Sequence, residues 1–315
     1  MPKYKVGNLF GWEPASNIIA KPFVKWAGGK NGLLPQLENL LPQNFDNIKE
    51  VTYIEPFVGG GAMLFHMLRN HKNIKKAIIN DINVDLIKCY ELIANNPQEL
   101  IKHLKEIETS YYRKSDNERK DLYYLYRDRY NSKDVLPNER AALFVFLNHT
   151  CFNGLYRVNK KGEFNVPYGS YKQPKICNDG LIMENHRLLS SVELVIRTPG
   201  DYKMVAKNLS RRYVNFVYLD PPYRPLSVTS YFKQYSSDPF GDTQQEELKS
   251  FFDELSSKGC LLMLSNSDSK DENGESYFET LYKGYDLKKL LAPRFIGTSS
   301  DGRMKLNEVL IRNYR

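Results

Sequence analysis

Six consecutive residues, 218–223, constrain the fold of this chain more than any other stretch, because two adjacent prolines follow a buried-strand pattern and a carboxylate. Residues 215–219 are rich in β-branched and aromatic side chains, which is typical of a strand buried on both faces of a parallel sheet. Pro221 and Pro222 cannot donate hydrogen bonds to a sheet, so the strand must stop at Asp220. Since open α/β sheets bind ligands at the carboxyl ends of their strands, the stretch predicts an active-site wall.

These residue types suit a reaction in which an exocyclic amine attacks an electrophile. An aromatic amine such as adenine N6 is a poor nucleophile, because its lone pair is delocalised into the ring. The Asp220 carboxylate and the Pro221 carbonyl can accept the two amino hydrogens and return the lone pair to nitrogen, while Tyr223 stacks on the base. The alternative is an ordinary surface turn, because Asp-Pro and Pro-Pro pairs are common turn formers.

The composition favours a globular protein with an acidic partner. The chain has 315 residues, of which 41% are hydrophobic and 26% charged, and it carries a net charge of +8. Such an excess of basic side chains is compatible with an acidic partner such as nucleic acid, although many basic proteins bind none. No apolar run approaches the roughly 20 residues that cross a bilayer, residues 1–11 lack the apolar core of a signal peptide, and the cysteines and histidines show no metal-ligand spacing. We therefore expect a cytoplasmic protein that binds neither membrane nor metal.

Two strand-and-turn units near the amino terminus predict a nucleoside site. Residues 51–55 form a strand pattern, and the glycine-rich residues 56–61 lead into an apolar helix, as in the first unit of a doubly wound α/β sheet. The Gly-x-Gly-x-x-Gly spacing of dinucleotide sites is absent, which favours a smaller nucleoside. A second strand, 76–80, ends in Asp81, where a carboxylate usually binds a ribose diol. The alternative role of Asp81 is to cap the helix that begins at Val84.

A glycine pair, Gly28-Gly29, precedes Lys30 and a set of leucines at helical spacing. Backbone amides of such a pair attract anions at the start of a helix. A simple junction between a loop and a helix would have the same sequence, because Gly-Gly-Lys alone is no phosphate-binding loop.

An inserted segment interrupts the alternation of strands and helices. Residues 97–147 have a helical, charged pattern without strands, and residues 148–172 interleave basic, amide and aromatic side chains with turn residues. Arginine and asparagine can read base edges, and an aromatic ring can wedge into a base step. A tyrosine-rich hairpin on a protein-binding module would have a similar composition.

The remaining segments complete a sheet. Strand patterns at 192–196 and 260–264 flank the strand at 215–219, and residues 285–291 with 308–312 could close the sheet as a hairpin. The polar loop 224–242 has the length of an active-site lid.

The order of these motifs resembles that of the Dam-type DNA adenine-N6 methyltransferases of the α group, in which a cofactor motif, a target-recognition insertion and Asp-Pro-Pro-Tyr follow one another. The resemblance runs from about residue 21 to the carboxyl end and rests on five segments: Lys25 to Lys30, Glu55 to Gly61, Asp81 to Asn83, Asn153 to Lys172 and Asp220 to Tyr223. It implies a Rossmann-like class I methyltransferase sheet with an inserted, mainly helical target-recognition domain that carries a β-hairpin. The implied division is an extension at 1–20, a catalytic domain at 21–87 and 180–315, and a recognition domain at 88–179.

The resemblance also implies a cofactor and residues that bind it. In this family S-adenosylmethionine donates the methyl group, and no metal takes part. The implied catalytic residues are Asp220, Pro221, Pro222 and Tyr223. The implied cofactor-binding residues are Trp26, Lys30, Glu55, Phe57, Gly59, Gly61, Asp81, Asp201, Tyr202 and Asp220.

The recognition segment is most similar to that of the family members that read GATC. By this likeness Arg157 would read the outer guanine, Lys25 would contact the first guanine, and Leu155 and Pro167 would contact the thymine methyl group. The partner implied is double-stranded DNA.

Further DNA contacts follow from the same likeness. Phe152 and Asn153 would fill the space left by a flipped adenine, and Tyr171 would also contact DNA. His149 departs from the family pattern, in which arginine or a similar donor stands at this position. The chain is expected to act as a monomer, with or without a partner restriction endonuclease. Cytosine-N4 methylation and a catalytically silent DNA-binding relative are the alternatives.

Overall fold

The structure of the chain, a computed structural model, describes residues 18–197, 200–224, 240–270, 274–292 and 306–315. The predicted lid loop at 224–242 and the predicted extension at 1–20 lie almost entirely outside these ranges. No helix in the described ranges combines the length and the apolar character needed to span a bilayer.

Seven strands form one sheet. They are β1 Val51–Glu55, β2 Ile74–Ile79, β3 Glu193–Ile196, β4 Val214–Leu219, β5 Leu261–Ser267, β6 Asp286–Ala292 and β7 Leu306–Arg312. Their order is β3-β2-β1-β4-β5-β7-β6; β1 to β5 are parallel, and β7 is antiparallel to both neighbours. The sheet confirms the predicted α/β class and the predicted closing pair, β6 with β7.

The winding of the chain changes direction between β1 and β4. From β1 the chain passes through β2 to the edge strand β3, and then returns to β4 on the other side of β1. Strand β1 is buried throughout, and β4 is buried beyond Val214, as expected for strands that are covered on both faces of a parallel sheet. The loops that follow β1 and β4 meet at the switch point where open α/β sheets bind ligands.

Local signals set the ends of several helices. The helices are α1 Leu34–Glu38, α2 Ala62–Asn70, α3 Val84–Asn95, α4 Pro97–Tyr112, α5 Asp116–Asn131, α6 Pro137–Thr150, α7 Asp179–Leu189, α8 Asp242–Ser257 and α9 Tyr277–Leu281. Proline lies in the first turn of α1, α4 and α6, where a backbone N–H would have no hydrogen-bond acceptor within the helix. Ser115 and Glu118 form a capping box at α5.

Buried tyrosines support the recognition segment from beneath. On α5, Tyr123 donates a hydrogen bond to the carbonyl of Val166 at 2.7 Å. On α4, the hydroxyl of Tyr111 lies 2.7 Å from that of Tyr168. The tyrosine-rich stretch therefore serves packing and hydrogen bonding at these two positions, because both tyrosines are fully buried.

Asp85 on α3 joins the inserted helices to the sheet. Its carboxylate accepts a hydrogen bond from Nε of Arg140 on α6 at 2.8 Å and another from the hydroxyl of Tyr130 on α5. Because Asp85 is the second residue of α3, just beyond the turn that contains Asp81, the inserted helices are attached close to that turn.

The predicted β-hairpin has two isolated bridges rather than continuous strands. Cys151 pairs with Tyr168, and Val158 pairs with Phe164, both in antiparallel register. The division of the chain into domains at residues 88 and 179 stays a prediction.

Candidate active site

The glycine turn after β1 packs directly against Trp26. Gly59 has φ +48°, and a Cβ atom added to it would lie 2.8 Å from Cδ1 of the indole. Gly61, with φ +79°, ends the turn and precedes α2. At position 59, glycine is the residue type that permits both the left-handed backbone and the close approach of the indole, because it has no Cβ atom. The turn thus holds a half-buried indole against the carboxyl end of β1.

Gly28 and Gly29 lie in a turn ahead of the helix that the leucine spacing predicts. Helix α1 begins only at Leu34, and Gly29 N donates to the carbonyl of Trp26 at 3.2 Å. The glycine pair forms a separate turn, which brings Lys30 to the end of β4. Pro35 lies in the first turn of α1, a position that proline favours.

The Asp81 carboxylate shapes two turns and does not cap α3. Its Oδ2 accepts from Gly59 N and its Oδ1 from Asn83 N, both at 2.9 Å. The capping side chain is that of Asn83, which accepts from Leu86 N at 2.8 Å. Burial raises the pKa of Asp81, which is only 9% exposed. Each carboxylate oxygen can accept a further hydrogen bond, so the group could still bind a diol.

Lys30, Asp220 and Tyr223 form one compact cluster. The Lys30 ammonium lies 2.9 Å from Oδ1 of Asp220 and donates to the carbonyl of Gly28 at 2.8 Å. It also lies 4.5 Å from the ring centroid of Tyr223, in cation–π range. Burial raises the pKa of Asp220 to about 6, while Lys30 opposes the rise. A carboxylate in this cluster stays largely ionised at neutral pH and can accept a hydrogen bond.

The two prolines hold the loop after β4 in a trans, extended path. Pro221 is buried and Pro222 is exposed. The Pro222 carbonyl accepts a hydrogen bond from Nε2 of Gln245 on α8 at 3.3 Å, and Arg224 N donates to Oδ1 of Asn266 on β5 at 3.2 Å. The loop is therefore supported by both neighbouring elements.

Glu55, the last residue of β1, is buried close to Asp220 and Asp81. It is 2% exposed, and Tyr53 donates a hydrogen bond to its Oε2 at 2.8 Å. Burial raises its pKa well above the ordinary value, and the charges of Asp220 and Asp81 add to the rise. A direct contact between Glu55 and a cofactor stays a prediction.

Aromatic side chains line the other side of the switch point. The rings of Phe57 and Tyr202 lie 5.0 Å apart, and Phe240 meets Phe57 edge-on at 6.2 Å. Asp201 is exposed, and its Oδ1 accepts from Lys203 N at 2.8 Å at the start of a short 3-10 helix. The structure thus brings the rings of Phe57 and Tyr202 together and leaves the neighbouring Asp201 exposed at the surface.

The side chain of Asn148 forms hydrogen bonds both to the backbone of Lys25 and to the recognition segment at Gly154. Its Oδ1 accepts from Lys25 N at 2.7 Å, and its Nδ2 donates to the carbonyls of Lys25 and Gly154 at 2.8 and 3.0 Å. The Lys25 ammonium lies 4.3 Å from the ring centroid of Tyr171. A buried amide thus holds two predicted DNA-binding segments side by side.

Four other predicted DNA-binding residues are exposed on the same segment. Phe152 is 50% exposed and Leu155 is 42% exposed, so two large apolar side chains lie at the surface within four residues of each other. Asn153 adopts a left-handed backbone with φ 56° and is exposed, as is Pro167. An apolar surface of this kind suits contact with bases.

Arg157 and His149 have backbone or amide partners in this structure. Nε of Arg157 donates to Oδ1 of Asn165 at 2.7 Å, which orients an exposed guanidinium. The two ring nitrogens of His149 lie 2.6 Å from the carbonyl of Lys175 and 2.9 Å from that of Phe23. His149 therefore ties two chain segments together, and neither ring nitrogen is directed at a phosphate.

Sequence reasoning missed three residues near these groups. Tyr156 stacks on Trp26 with ring centroids 5.8 Å apart, so the recognition segment touches the indole beside the glycine turn. Ile82 is 82% exposed and borders a groove of about 540 Å³ next to Asp81. Glu308 on β7 accepts a hydrogen bond from Tyr223. Only Ile82 had a local signal, since it is an apolar residue directly after a strand-end carboxylate.

Known proteins similar to the chain support this picture. The profile of the D12 class N6 adenine-specific DNA methyltransferases matches residues 26–293. The type II methyltransferase M.MjaIII of Methanocaldococcus jannaschii is 44% identical over 93% of this chain and 99% of its own length. A DNA adenine methylase of Haemophilus influenzae is 32% identical over 92% of both chains. A solved rRNA methyltransferase, AviRa from Streptomyces viridochromogenes, has 13% identity and a TM-score of 0.37, covering 89% of this chain and 84% of its own, and is too distant to bear on the fold or the site.

Fold and site together define a Rossmann-like methyltransferase. The profile covers most of the chain, and full-length relatives exceed 30% identity. The chain belongs to the D12 class N6 adenine-specific DNA methyltransferase family, and it is an adenine-specific DNA methyltransferase. The resemblance to Dam-type enzymes is confirmed, and adenine is favoured over the cytosine alternative.

Proposed function

We propose that this chain transfers a methyl group from S-adenosylmethionine to N6 of an adenine in GATC, after the adenine has left the duplex stack. The observation that carries the proposal is the cluster of Lys30, Asp220 and Tyr223 at the switch point, next to the glycine turn. A base inside a duplex cannot present N6 for in-line attack, so flipping must precede transfer, at a cost of a few kcal/mol.

The residues around the glycine turn fit this cofactor. Gly59 leaves room only for the Trp26 indole, so a flat wall faces the turn. Asp81 can accept hydrogen bonds from the ribose diol, and the exposed side chain of Ile82 offers an apolar surface beside it. Phe57 and Tyr202 would line the opposite wall. The bound cofactor supplies a sulfonium methyl group, which is an electrophile that needs neither a metal nor a covalent enzyme intermediate.

Asp220 activates the amine in this mechanism. Lys30 favours the ionised carboxylate, which accepts one N6–H, and the Pro221 carbonyl accepts the other. Two acceptors localise the lone pair on N6 and direct it at the methyl carbon. Methyl transfer leaves one surplus proton on N6, and Asp220, whose pKa is raised to about 6, is a suitable acceptor. Tyr223 stacks on the base and holds it against rotation.

Exposed residues of the two segments that Asn148 joins support the proposed recognition of GATC. Lys25 and Arg157 supply the donors that match guanine O6 and N7, and Leu155 and Pro167 supply apolar contacts for the thymine methyl group. Phe152 is exposed enough to enter the space left by the flipped base, with Asn153 beside it.

Labelled methyl transfer tests the proposal. Purified protein is given tritiated S-adenosylmethionine and duplexes that contain GATC or a one-base variant, and the modified nucleoside is identified after digestion. We expect N6-methyladenine in GATC duplexes, and a loss of roughly 10²–10³-fold in Asp220→Ala. The matched control is Asp179→Ala, because this carboxylate pairs with Lys105 away from the cluster. Equal transfer by wild type and Asp220→Ala, or a methylated cytosine, would contradict the proposal.

A further inference from the structure

A second carboxylate, that of Glu308, lies at the far end of the Tyr223 ring. Glu308 is on β7, is 6% exposed, and accepts a hydrogen bond from the Tyr223 hydroxyl at 2.6 Å. Its backbone is held in the sheet between Ser267 of β5 and Leu290 of β6. The acceptor is therefore built into the rigid antiparallel part of the sheet, and not into a loop.

Glu308 forms no ion pair within the described residues. A buried carboxylate without a cation is costly, because hydrogen bonds must replace the lost hydration. The phenol of Tyr223 supplies one charge-assisted hydrogen bond, which is short and directional. This arrangement gives a reason for tyrosine rather than phenylalanine at position 223, since only tyrosine has the hydroxyl.

The Tyr223 side chain is thereby held at both ends. Pro221 and Pro222 stiffen its backbone, and Glu308 holds its hydroxyl. The Lys30 ammonium lies over the ring at 4.5 Å. The hydrogen bond to Glu308 fixes the direction of the ring axis, and the in-plane preference of a phenol O–H together with Lys30 over one face favours one ring plane, which is the condition for stacking on a base in one defined orientation.

We propose that Glu308 is a positioning residue for methyl transfer, which acts by anchoring the Tyr223 hydroxyl so that the ring presents a fixed face to the flipped base. The inference rests on the proposed function of Tyr223 as the stacking residue. Glu308 touches neither the base nor the cofactor in this scheme, so its effect passes through Tyr223 alone.

The charge of Glu308 also acts on Asp220, which gives an independent readout. Burial raises the pKa of Asp220 most, Lys30 and Tyr223 lower it, and Glu308 raises it further. Glu55 on β1 and Tyr218 on β4 also lie close enough to interact with this charge. Removing the negative charge at Glu308 should therefore move the acid limb of the pH–rate profile to lower pH. A residue that served only folding would leave this limb in place.

The test compares Glu308→Gln, Glu308→Ala, Tyr223→Phe and the double variant Glu308→Ala/Tyr223→Phe. The control is Glu184→Gln, which changes another buried glutamate, one paired with Arg187 on α7. Single-turnover rates are measured at saturating cofactor and DNA, and flipping is followed by fluorescence of 2-aminopurine at the target position. Thermal unfolding gives the folded fraction of each variant.

We expect Glu308→Ala to lower the single-turnover rate roughly tenfold to hundredfold, the effect of one hydrogen bond to a charged group, without raising KM for the cofactor. Glu308→Gln should retain most of the rate, because the amide oxygen still accepts from the phenol. The double variant should be no slower than Tyr223→Phe. A wild-type rate in folded Glu308→Ala, or losses that multiply in the double variant, would overturn the inference. Absence of N6-methyladenine in the wild type would instead overturn the proposed function.

Discussion

The ionised form of the Asp220 carboxylate is disfavoured by burial and favoured by the neighbouring Lys30. Burial raises its pKa to about 6, and the nearby Glu308 adds to the rise, whereas Lys30 at 2.9 Å favours the ionised form. The ionised carboxylate is the active form in the proposed mechanism, because a protonated group would donate to the amine instead of accepting from it. Activity should therefore be lost on acidification through the pKa of this group.

The first prediction concerns this pH dependence. We expect the single-turnover rate to fall as the pH drops below about 6. Lys30→Met should move the acid limb to higher pH, because it removes the cation that lowers the pKa of Asp220. Rates measured from about pH 5 to about pH 8 at saturating cofactor would show the shift. An acid limb at the same pH in both proteins would argue against the ion pair.

The second prediction concerns Asp81. Asp81→Ala leaves the amides of Gly59 and Asn83 without their acceptor, so we expect unfolding to become easier by about 1–3 kcal/mol. Affinity for S-adenosylhomocysteine should fall as well, because the diol loses its partner. Calorimetric titration and denaturant unfolding measure the two effects. Unchanged affinity in a folded variant would exclude Asp81 from the cofactor site.

Between elements, two contacts connect the proposed cofactor site with the proposed DNA-binding segment. Asn148 on α6 binds the backbone of Lys25, and Tyr156 stacks on Trp26. Both contacts cross from the inserted segment to the loop that carries Lys30. The loop that carries Lys30 is therefore held in place by contacts from the inserted segment.

A third prediction tests this link. In Asn148→Ala the backbone groups of Lys25 lose a buried partner, and Lys25 is no longer held beside Gly154. We expect discrimination between GATC and a duplex with a substituted first guanine, the base assigned to Lys25, to fall by about fivefold to a hundredfold, the value of one specific base contact. Competition methylation assays give the ratio. Asn138→Ala, near the other end of α6, should keep the wild-type ratio.

The fourth prediction concerns the packing of the glycine turn on Trp26. Gly59→Ala would place a methyl group 2.8 Å from Cδ1 of the indole at φ +48°. We expect the indole to be displaced and cofactor affinity to fall. Gly259→Ala shares a positive φ, +78°, but meets no atom within 4 Å, so it controls for backbone strain alone. Equal cofactor affinities in the two variants would contradict a role for this contact.

At the scale of the whole molecule, the net charge of +8 matches a polyanionic substrate. Protein–DNA association releases counterions from the phosphate backbone, so affinity falls with rising salt. The predicted cytoplasmic location, monomeric state and restriction partner stay predictions.

The fifth prediction is a steep salt dependence of DNA binding. We expect affinity to fall by about 10³–10⁵ between roughly 50 and 200 mM salt, if six to ten phosphates are neutralised. Arg157→Ala should lower affinity for GATC more than for unrelated duplexes, because a base contact is lost and the phosphate contacts remain. Fluorescence anisotropy at several salt concentrations measures both quantities. A uniform loss across all duplexes would assign Arg157 to the phosphate backbone.

Much of the sheet could be read from the sequence, because strand patterns and turn residues act locally. Residues 215–219 read as a buried strand ended by prolines, and the structure has β4 at Val214–Leu219. The leucine spacing after the glycine pair predicted a helix, and the structure has α1 at Leu34–Glu38, whereas the sequence left open whether the amides of the pair bind an anion.

By itself, the sequence determined the parallel sheet, the place of Asp-Pro-Pro-Tyr at its carboxyl edge and the order of the functional segments. These depend on residues within a few positions of one another. Only the tertiary structure decided that Glu308 holds Tyr223 and that Asn148 holds Lys25, contacts that join residues 85 and 123 positions apart. Local periodicity carries no information on such pairs, because they form only when strand order and helix packing bring distant segments within hydrogen-bonding distance.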